Sequence, residues 1–381
     1  MGFDFSDKYT IIDKLREFGI KNEELGNRNE ELGMGKAGKT ILIILIILAV
    51  LAAGAFAVFN GVFSKMGKSS DLSYGADSPE SAEALEKAEA ERKEEMESLS
   101  EEEKQALKDA SDPETLSHNG VYENEGIKNI LLIGRDTRNE DVAGASSDSI
   151  ILLSIDDINK RIILTSFMRD TYLTLPGEDE PSKLYTAVIK GGPSYLEETL
   201  ETYFGAKIEN YAMVNFTCFE EIVDTLGGID LKLSDSECFR AGVTYEDLID
   251  AENGIYHVNG RQALKYCRNR SSTPGADYDR TQRQRIVLKT IWNKVREMPV
   301  TKQTAVATKA LEYVTTDLSR SECLALVAKL PQIKDYEFVS QRIPIDGTSV
   351  AYNPDPKFSI VSMEFPPNRA FLLDSLYGIE E

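Results

Sequence analysis

Residues Thr40 to Phe59 read TILIILIILAVLAAGAFAVF, an apolar run with no charge anywhere in it. As an α-helix, the run extends about 30 Å, the thickness of a bilayer's hydrocarbon core. A buried core helix rarely carries so long an unbroken run, and it also exceeds the apolar stretch of an ordinary signal peptide. Ala55-Phe56-Ala57 does resemble a small-residue cleavage site, but 39 residues precede the run, so an uncleaved anchor is the preferred reading. The sequence therefore predicts a cytoplasmic tail over residues 1–39 and a transmembrane helix over 40–59. Arg28, Lys36 and Lys39 before the run, against Lys65 and Lys68 after it, give a thin positive-inside bias. The expected placement is a single-pass cell-membrane protein with its C-terminal domain extracellular.

Beyond the run the composition shifts. Residues 80–109 are dominated by Glu, Ala, Lys and Ser, with Leu85, Met96, Leu99 and Leu107 as the larger apolar groups. Ser78 before Pro79 is a helix start, and Ser100 with Glu103 forms a capping box. So little apolar area cannot bury a core. Residues 60–125 are thus expected to be an acidic stalk of solvated helix or linker.

Several function classes fall away on counts. Forty-three Lys and Arg against 64 Asp and Glu set the formal net charge at −21. Nucleic acid is therefore not the expected partner, because phosphate backbones are bound by clustered basic surface. A small basic pocket inside an acidic chain remains compatible with that balance. The two histidines, His118 and His257, lie near no nucleophile elbow. Cys218, Cys238, Cys267 and Cys323 form no C-x-x-C pair, which argues against a zinc ribbon or a redox pair. Buried thiols are the plain reading, with a disulfide the alternative in an extracellular domain.

A single ordered domain is expected over 126–345, followed by a C-terminal tail over 346–381. Strands are predicted at Lys128–Ile133, Ile150–Ile155 and Arg161–Met168, with a turn at Asp156–Lys160. Pro193 opens a helix that Gly205 ends, a strand follows at Ile208–Val214, and a helix at Phe216–Leu226 stops at Gly227-Gly228. Another strand is expected at Ile229–Leu233, a long amphipathic helix at Asp279–Met298, and one or two helices within Thr304–Leu330. The mixture predicts an α/β domain of α+β-like character, a mixed sheet flanked by helices.

The first three strands carry a geometric consequence. If they form an antiparallel meander, the end of the first, the start of the second and the end of the third meet at one edge. Asp136, Asp148 and the Arg169-Asp170 pair would then converge. The long helix adds to this. Its inward stripe of Met298, Val295, Ile291 and Val287 continues to Gln284 and Arg280, which puts polar groups at core-facing positions. Arg280, Arg283 and Arg285 crowd the end where the helix dipole disfavours cations, which points to an anion or a carboxylate partner. Arg268 and Arg270 would share one side of an extended segment, and Arg135 and Arg138 sit in the first loop. Arginine forks suit phosphate oxygens, and two carboxylates suit Mg²⁺ beside a phosphate substrate, with Mn²⁺ the alternative. A purely structural Arg–Asp network is the competing reading.

KNILLIGRDTR, SSDSIILLSID and ILTSFMRDTYLTLPG resemble the opening motifs of the LytR-CpsA-Psr family. KLYTAVIKGGPSYLEETLETYFG, YAMVNFTCFEEIVDTLGGIDLKL, HVNGRQALKYCRNR and DYDRTQRQR continue the resemblance in family order, from about Ile127 to Met298. The resemblance implies an extracellular phosphotransferase of a Gram-positive-type envelope. Such an enzyme attaches a teichoic acid or capsule-like glycopolymer, carried on undecaprenyl pyrophosphate, to peptidoglycan. By motif, Asp136 and Asp148 resemble metal carboxylates, and Arg169, Arg268, Arg270 and Arg280 a pyrophosphate clamp. Arg138, Arg283 and Gln284 match supporting positions, and Lys183 a lysine beside the phosphate. Asp277 matches an acidic residue near the reacting groups, a candidate to orient or deprotonate the acceptor hydroxyl. The prenyl tail needs an apolar channel, for which helices within 194–204 and 308–330 are candidates. Two departures stand out: Ser146 where the family often has arginine, and Asp279 where it usually has glycine. Hydrolysis of the lipid pyrophosphate and a non-catalytic, envelope-sensing role are the alternatives.

Overall fold

The expected meander forms and frames the rest of the fold. A computed structural model describes residues 78–111, 120–137, 146–269, 276–352 and 359–379, with Gly61, Phe63, Ser64 and Tyr74 besides. The predicted membrane helix over 40–59 lies outside the described residues. Among those described, no helix is long and apolar enough to cross a membrane.

Strands β1 (Ile127–Arg135), β2 (Ser147–Asp156) and β3 (Arg161–Phe167) pair antiparallel, with Leu131 opposite Leu152 and Leu153 opposite Leu164. The β2–β3 turn closes on the Asp156 carboxylate. It accepts from the backbone N–H groups of Ile158 at 3.0 Å and Asn159 at 2.8 Å and from Arg161 at 2.7 Å. Strand β4 (Asn210–Val214) joins β1 in parallel, β5 (Thr315–Thr316) extends that edge, and β6 (Glu337–Ile343) runs parallel to β3. The sheet order is therefore β5-β4-β1-β2-β3-β6, a mixed sheet. Ten helices are described: α1 (Pro79–Ser98), α2 (Glu101–Ala110), α3 (Thr186–Phe204), α4 (Phe216–Thr225), α5 (Asp235–Ala241), α6 (Gly260–Arg268), α7 (Ala276–Glu297), α8 (Val300–Ala310), α9 (Arg320–Ile333) and α10 (Phe365–Tyr377).

Side chains alternate across each strand, so the sheet has two distinct apolar faces. Leu131, Ile133, Ile150, Leu152, Ile163 and Phe167 pack with α3 and α10 through Leu196, Leu200, Leu372 and Leu373, the largest cluster. Ile155 and Ile162, with Leu153 and Phe338 beside them, meet Trp292 of α7 and Leu326, Leu330 and Ile333 of α9. Residues 196–204 and 326–333 therefore pack on opposite faces of the sheet. A satellite core lies around the three-stranded sheet of Ile229–Lys232, Ile255–Val258 and Leu248–Asp250. There Val223 of α4, Ala263 and Tyr266 of α6 and Val287 of α7 come together.

Two sequence expectations change. The acidic segment was expected to stand free, yet Leu99 and Leu107 are buried with Tyr172 and Ile360, and Glu95 of α1 is buried too. A few well-placed leucines suffice when a partner surface already exists. Residues 346–381 are likewise more than a tail: Ser349–Tyr352 pairs with Ile360–Met363, and α10 buries Leu372, Leu373 and Leu376 in the main core. Those positions recur at helical spacing after Phe365, too short a pattern to stand out beside Pro366 and Pro367. The helix at Pro193 is the second half of α3, which kinks at Gly192 with φ 75° and ends at Gly205 in the left-handed region. All four cysteines are buried free thiols.

Candidate functional site

The sheet ends and the first turns of α7 meet at one charged cluster. A β-bulge where β1 and β2 leave register, between Gly134 and Arg135, sets Asp148 at the start of β2. Arg169 follows β3, and its Nη1 donates to Asp148 Oδ1 at 2.5 Å. Arg280 Nη1 reaches the same oxygen at 3.3 Å from α7, and Gln284 Nε2, one turn on, donates to the Asp148 carbonyl at 3.4 Å. The three charged side chains are enclosed: Arg280 is 3%, Asp148 14% and Arg169 17% exposed. Asp170, buried, lies 3.4 Å from Arg169 Nε, and the Tyr185 ring sits 5.8 Å from the guanidinium.

Asp136 and Arg268 form the outer half. Arg268 Nη2 donates to Asp136 Oδ1 at 3.4 Å, and its guanidinium stacks over Phe216 with 4.2 Å to the ring centre. These side chains are 47% and 38% exposed for Arg268 and Asp136. Burial pushes the Asp136 carboxyl up from the usual range, the adjacent Asp148 carboxylate adds to the rise, and Arg268 and Arg169 oppose it. Two hard carboxylates close enough to disfavour each other's charge, with phosphate-type arginines around them, suit a Mg²⁺ that takes its remaining ligands from water and substrate. No group of three or more His, Cys, Asp or Glu side chains able to hold a metal occurs among the described residues.

Other expected residues are placed differently. Arg283 lies one step from the cluster: its Nε donates to Glu237 at 3.1 Å and its Nη1 to the Asn269 carbonyl at 2.9 Å. It therefore holds the chain just after Arg268. Lys183 is paired with Glu95 of α1, an almost fully buried partner, and not with the two aspartates. Burial pushes the Glu95 carboxyl up while Lys183 pulls it down. Arg285 donates to Ser340 at 2.9 Å on the far side of α7, and burial lowers its pKa to about 10. Arg135 is buried at the end of β1. Arg138 and Arg270 lie outside the described residues, as does the side chain of Asp277 at the start of α7.

The sequence pattern brought Asp170 to the converging edge without giving it a role, and it did not single out Phe216, Glu237 or Glu95. Asp170 was visible as the neighbour of Arg169. The other three act through contacts between segments far apart in the chain, which no local spacing records.

The α/β domain thus holds Asp148 between Arg169 and Arg280 at its sheet ends, with Asp136 and Arg268 at an open rim beside them. The chain belongs to the LytR_cpsA_psr family, whose model matches residues 85–358. It is 33% identical over 193 residues to the polyisoprenyl-teichoic acid–peptidoglycan teichoic acid transferase TagU of Enterococcus faecalis, spanning 50% of this chain and 61% of that one. It is 30% identical over 275 residues to regulatory protein MsrR of Staphylococcus aureus, spanning 71% of this chain and 81% of that one. A solved structure of a LytR-CPS2A-psr family protein, YwtF (TagT), with bound octaprenyl pyrophosphate lipid shares the fold. It has a TM-score of 0.50 at 21% identity and covers 68% of this chain and 95% of that one.

Proposed function

We propose that the protein is a phosphotransferase that moves a glycopolymer from a polyprenyl pyrophosphate carrier onto a peptidoglycan hydroxyl. The observation that carries this reading is the double grip on Asp148 by Arg169 and Arg280, from segments distant in sequence, beside a second carboxylate at an open rim. The name of the enterococcal relative and the lipid bound to the fold relative support the same chemistry.

In the proposed reaction, an acceptor hydroxyl oxygen bonds to the phosphorus nearest the glycopolymer. The bond from that phosphorus to the bridging oxygen breaks, polyprenyl phosphate leaves, and one proton is released from the hydroxyl. Arg169 and Arg280 are the groups assigned to stabilise charge on the bridging and non-bridging oxygens, because donors fixed before the reaction need no reorganisation during it. Arg268 and Arg270 would grip the outer phosphate, with Arg138 and Gln284 supporting, and Lys183 would join after release from Glu95. Asp277 is the candidate to accept the proton. Asp136 and Asp148 would hold Mg²⁺, or Mn²⁺ in its place, and the metal when bound supplies Lewis-acid charge neutralisation. A membrane anchor over residues 40–59 would place the domain at an extracellular lipid surface beside peptidoglycan.

The test is product analysis with a lipid-linked glycopolymer, Mg²⁺ and peptidoglycan oligomers. Polymer joined to oligomer through a phosphodiester is the expected product. Released polymer bearing a terminal phosphate, equal with and without oligomers, would make the protein a hydrolase. The regulatory name of the staphylococcal relative motivates a second arm. If Asp148→Ala and Arg169→Ala variants complement a deletion as wild type does, a non-catalytic sensing role replaces the transferase reading.

A further inference from the structure

The lysine that motif places beside the phosphate already holds an anion, and that anion arrives on α1. The short strand Ser182–Lys183 pairs with Tyr172–Leu173, Leu184 N–H donates to the Thr171 carbonyl at 2.8 Å, and Tyr185 N–H donates to the Arg169 carbonyl at 3.1 Å. Lys183 is therefore tied through the backbone to the segment that carries Arg169, while its ammonium is taken by Glu95. Both side chains are enclosed, 11% exposed for Lys183 and 2% for Glu95. A carboxylate offers a lysine the same charged oxygen acceptor that a phosphate does, so Glu95 fills the role of ligand on this side chain.

The helix that carries Glu95 is weakly held. The buried residues of α1 are Ser81 and Glu95, a hydroxyl and a carboxylate, and Met96 adds a partly buried contact, so little apolar area keeps the helix down. The Arg92–Glu180 pair at 3.8 Å is open to solvent and adds little. Helix α2 differs. Leu107 is buried, and the Ser111 carbonyl accepts from Thr174 N–H at 3.2 Å and from the buried Tyr203 hydroxyl at 2.7 Å. Between the two helices Leu99 leaves the helical region, at φ −90° and ψ 149°. The segment thus has a fixed end at α2, a break at Leu99, and a carrier whose main hold is ionic. Burial pushes the Glu95 carboxyl up, Lys183 opposes that, and Asp170 and Glu91 add to the rise, so neighbouring negative charge works against the hold.

We propose that Glu95 is an internal stand-in for phosphate, and that α1 is a strap holding Lys183 until an incoming pyrophosphate displaces the carboxylate. The inference rests on the transferase reading and adds a positioning residue and an order of events to it. In the empty site the strap keeps an enclosed ammonium compensated, because an unpaired buried charge is costly. When the ligand arrives, Lys183 exchanges one anion for another, and Glu95 returns to water with α1. An anion that does not reach Lys183 leaves the strap in place, so release reports a fully seated pyrophosphate.

The experiment uses the full chain in detergent, titrated with polyprenyl pyrophosphate and followed by amide hydrogen exchange. Glu95→Gln removes the competing charge and should bind about three- to tenfold more tightly, because less of the protein starts in the strapped state. Lys183→Gln should bind more weakly, and Glu95→Gln should add nothing in that background. Saturating wild type with polyprenyl pyrophosphate should speed exchange over residues 79–98 and leave 101–110 as they were. Ligand-free Glu95→Gln should show the same faster exchange over 79–98. A merely structural Glu95 gives the opposite sign, weaker binding on substitution. Equal or weaker binding by Glu95→Gln, or exchange over 79–98 that slows when ligand is added, overturns the strap. Failure of wild type to bind polyprenyl pyrophosphate overturns the transferase reading instead. The strap is then judged without ligand, and exchange over 79–98 no faster in Glu95→Gln than in wild type overturns it as well.

Discussion

The two halves of the charged cluster differ in enclosure, and the difference separates what builds the site from what adjusts it. Asp148 and Arg280 are 14% and 3% exposed, and their ionic contacts are made where water is scarce. Asp136 and Arg268 are 38% and 47% exposed, and their contact is a long one at 3.4 Å. An enclosed ion pair commits the fold to both partners, because removing one leaves the other charged without water. An open pair costs little to break and can exchange its partner for a ligand. The inner half is a fixed scaffold of charge; the outer half is where substrate and metal would enter.

The sharpest way to break that contrast is Asp148→Ala. It leaves Arg169 and Arg280 facing each other without their shared carboxylate, and the expected stability loss is about 3 kcal/mol. Transfer activity should fall by about 10³-fold or more, since both the metal ligand and the arginine alignment go. Chemical denaturation and the transfer assay check the two effects separately. A variant as stable as wild type would mean the inner half is no scaffold.

Asp136→Asn should behave oppositely in stability. Its pair with Arg268 is open, so the expected change is about 1 kcal/mol or less. Activity should still fall by about 10²-fold, and the Mg²⁺ concentration giving half-maximal rate should rise. An unchanged metal dependence would remove Asp136 from the proposed ligand pair.

A half-buried carboxyl on α3 gives the contrast a control. Glu197 on α3 has its carboxyl pushed up to about 8, by burial first and then by Asp317 and Glu201, with Lys207 opposing. Its raised value means that the folded protein holds the proton more tightly than the unfolded chain. Stability from this group is complete below about pH 4.5, its ordinary value, and is lost as pH rises through about 8. Glu197→Gln should therefore match wild type near pH 5 and exceed it above pH 8, by about 1–3 kcal/mol. Thermal unfolding at the two pH values measures it. Asp148 should show no such gain on neutralisation, because its charge is compensated by two guanidinium groups.

Much of the inner half was legible in the sequence. Short apolar runs specify three strands, a meander brings Asp136, Asp148 and Arg169 to one edge, and the helical stripe through Val287 carries Arg280 to the same place. Lys183 shows where that reasoning stops. Nothing within a few residues of it announces Glu95, which arrives from a helix whose composition reads as solvent-exposed. The packing of the acidic helix and of α10 is hidden in the sequence for one reason: a few leucines bury well against a surface already built by other segments, and one sequence does not display that surface.

Arg283 tests how finely the outer half is held. Its guanidinium spans Glu237 on α5 and the Asn269 carbonyl, so it links the satellite core to the residue after Arg268. Arg283→Lys preserves the charge but loses the planar fork, and one of the two contacts must be given up. The Glu237 contact is ionic and should persist, which frees the Asn269 carbonyl and loosens Arg268. Affinity for polyprenyl pyrophosphate should then fall by roughly three- to tenfold, with little change in stability. The measurement is a binding titration of wild type, Arg283→Lys and Arg268→Ala, together with the double variant. Non-additive losses in the double variant are expected, because Arg283 would act through Arg268. Additive losses would show that Arg283 grips the ligand itself, which would move it from the frame of the site into the clamp.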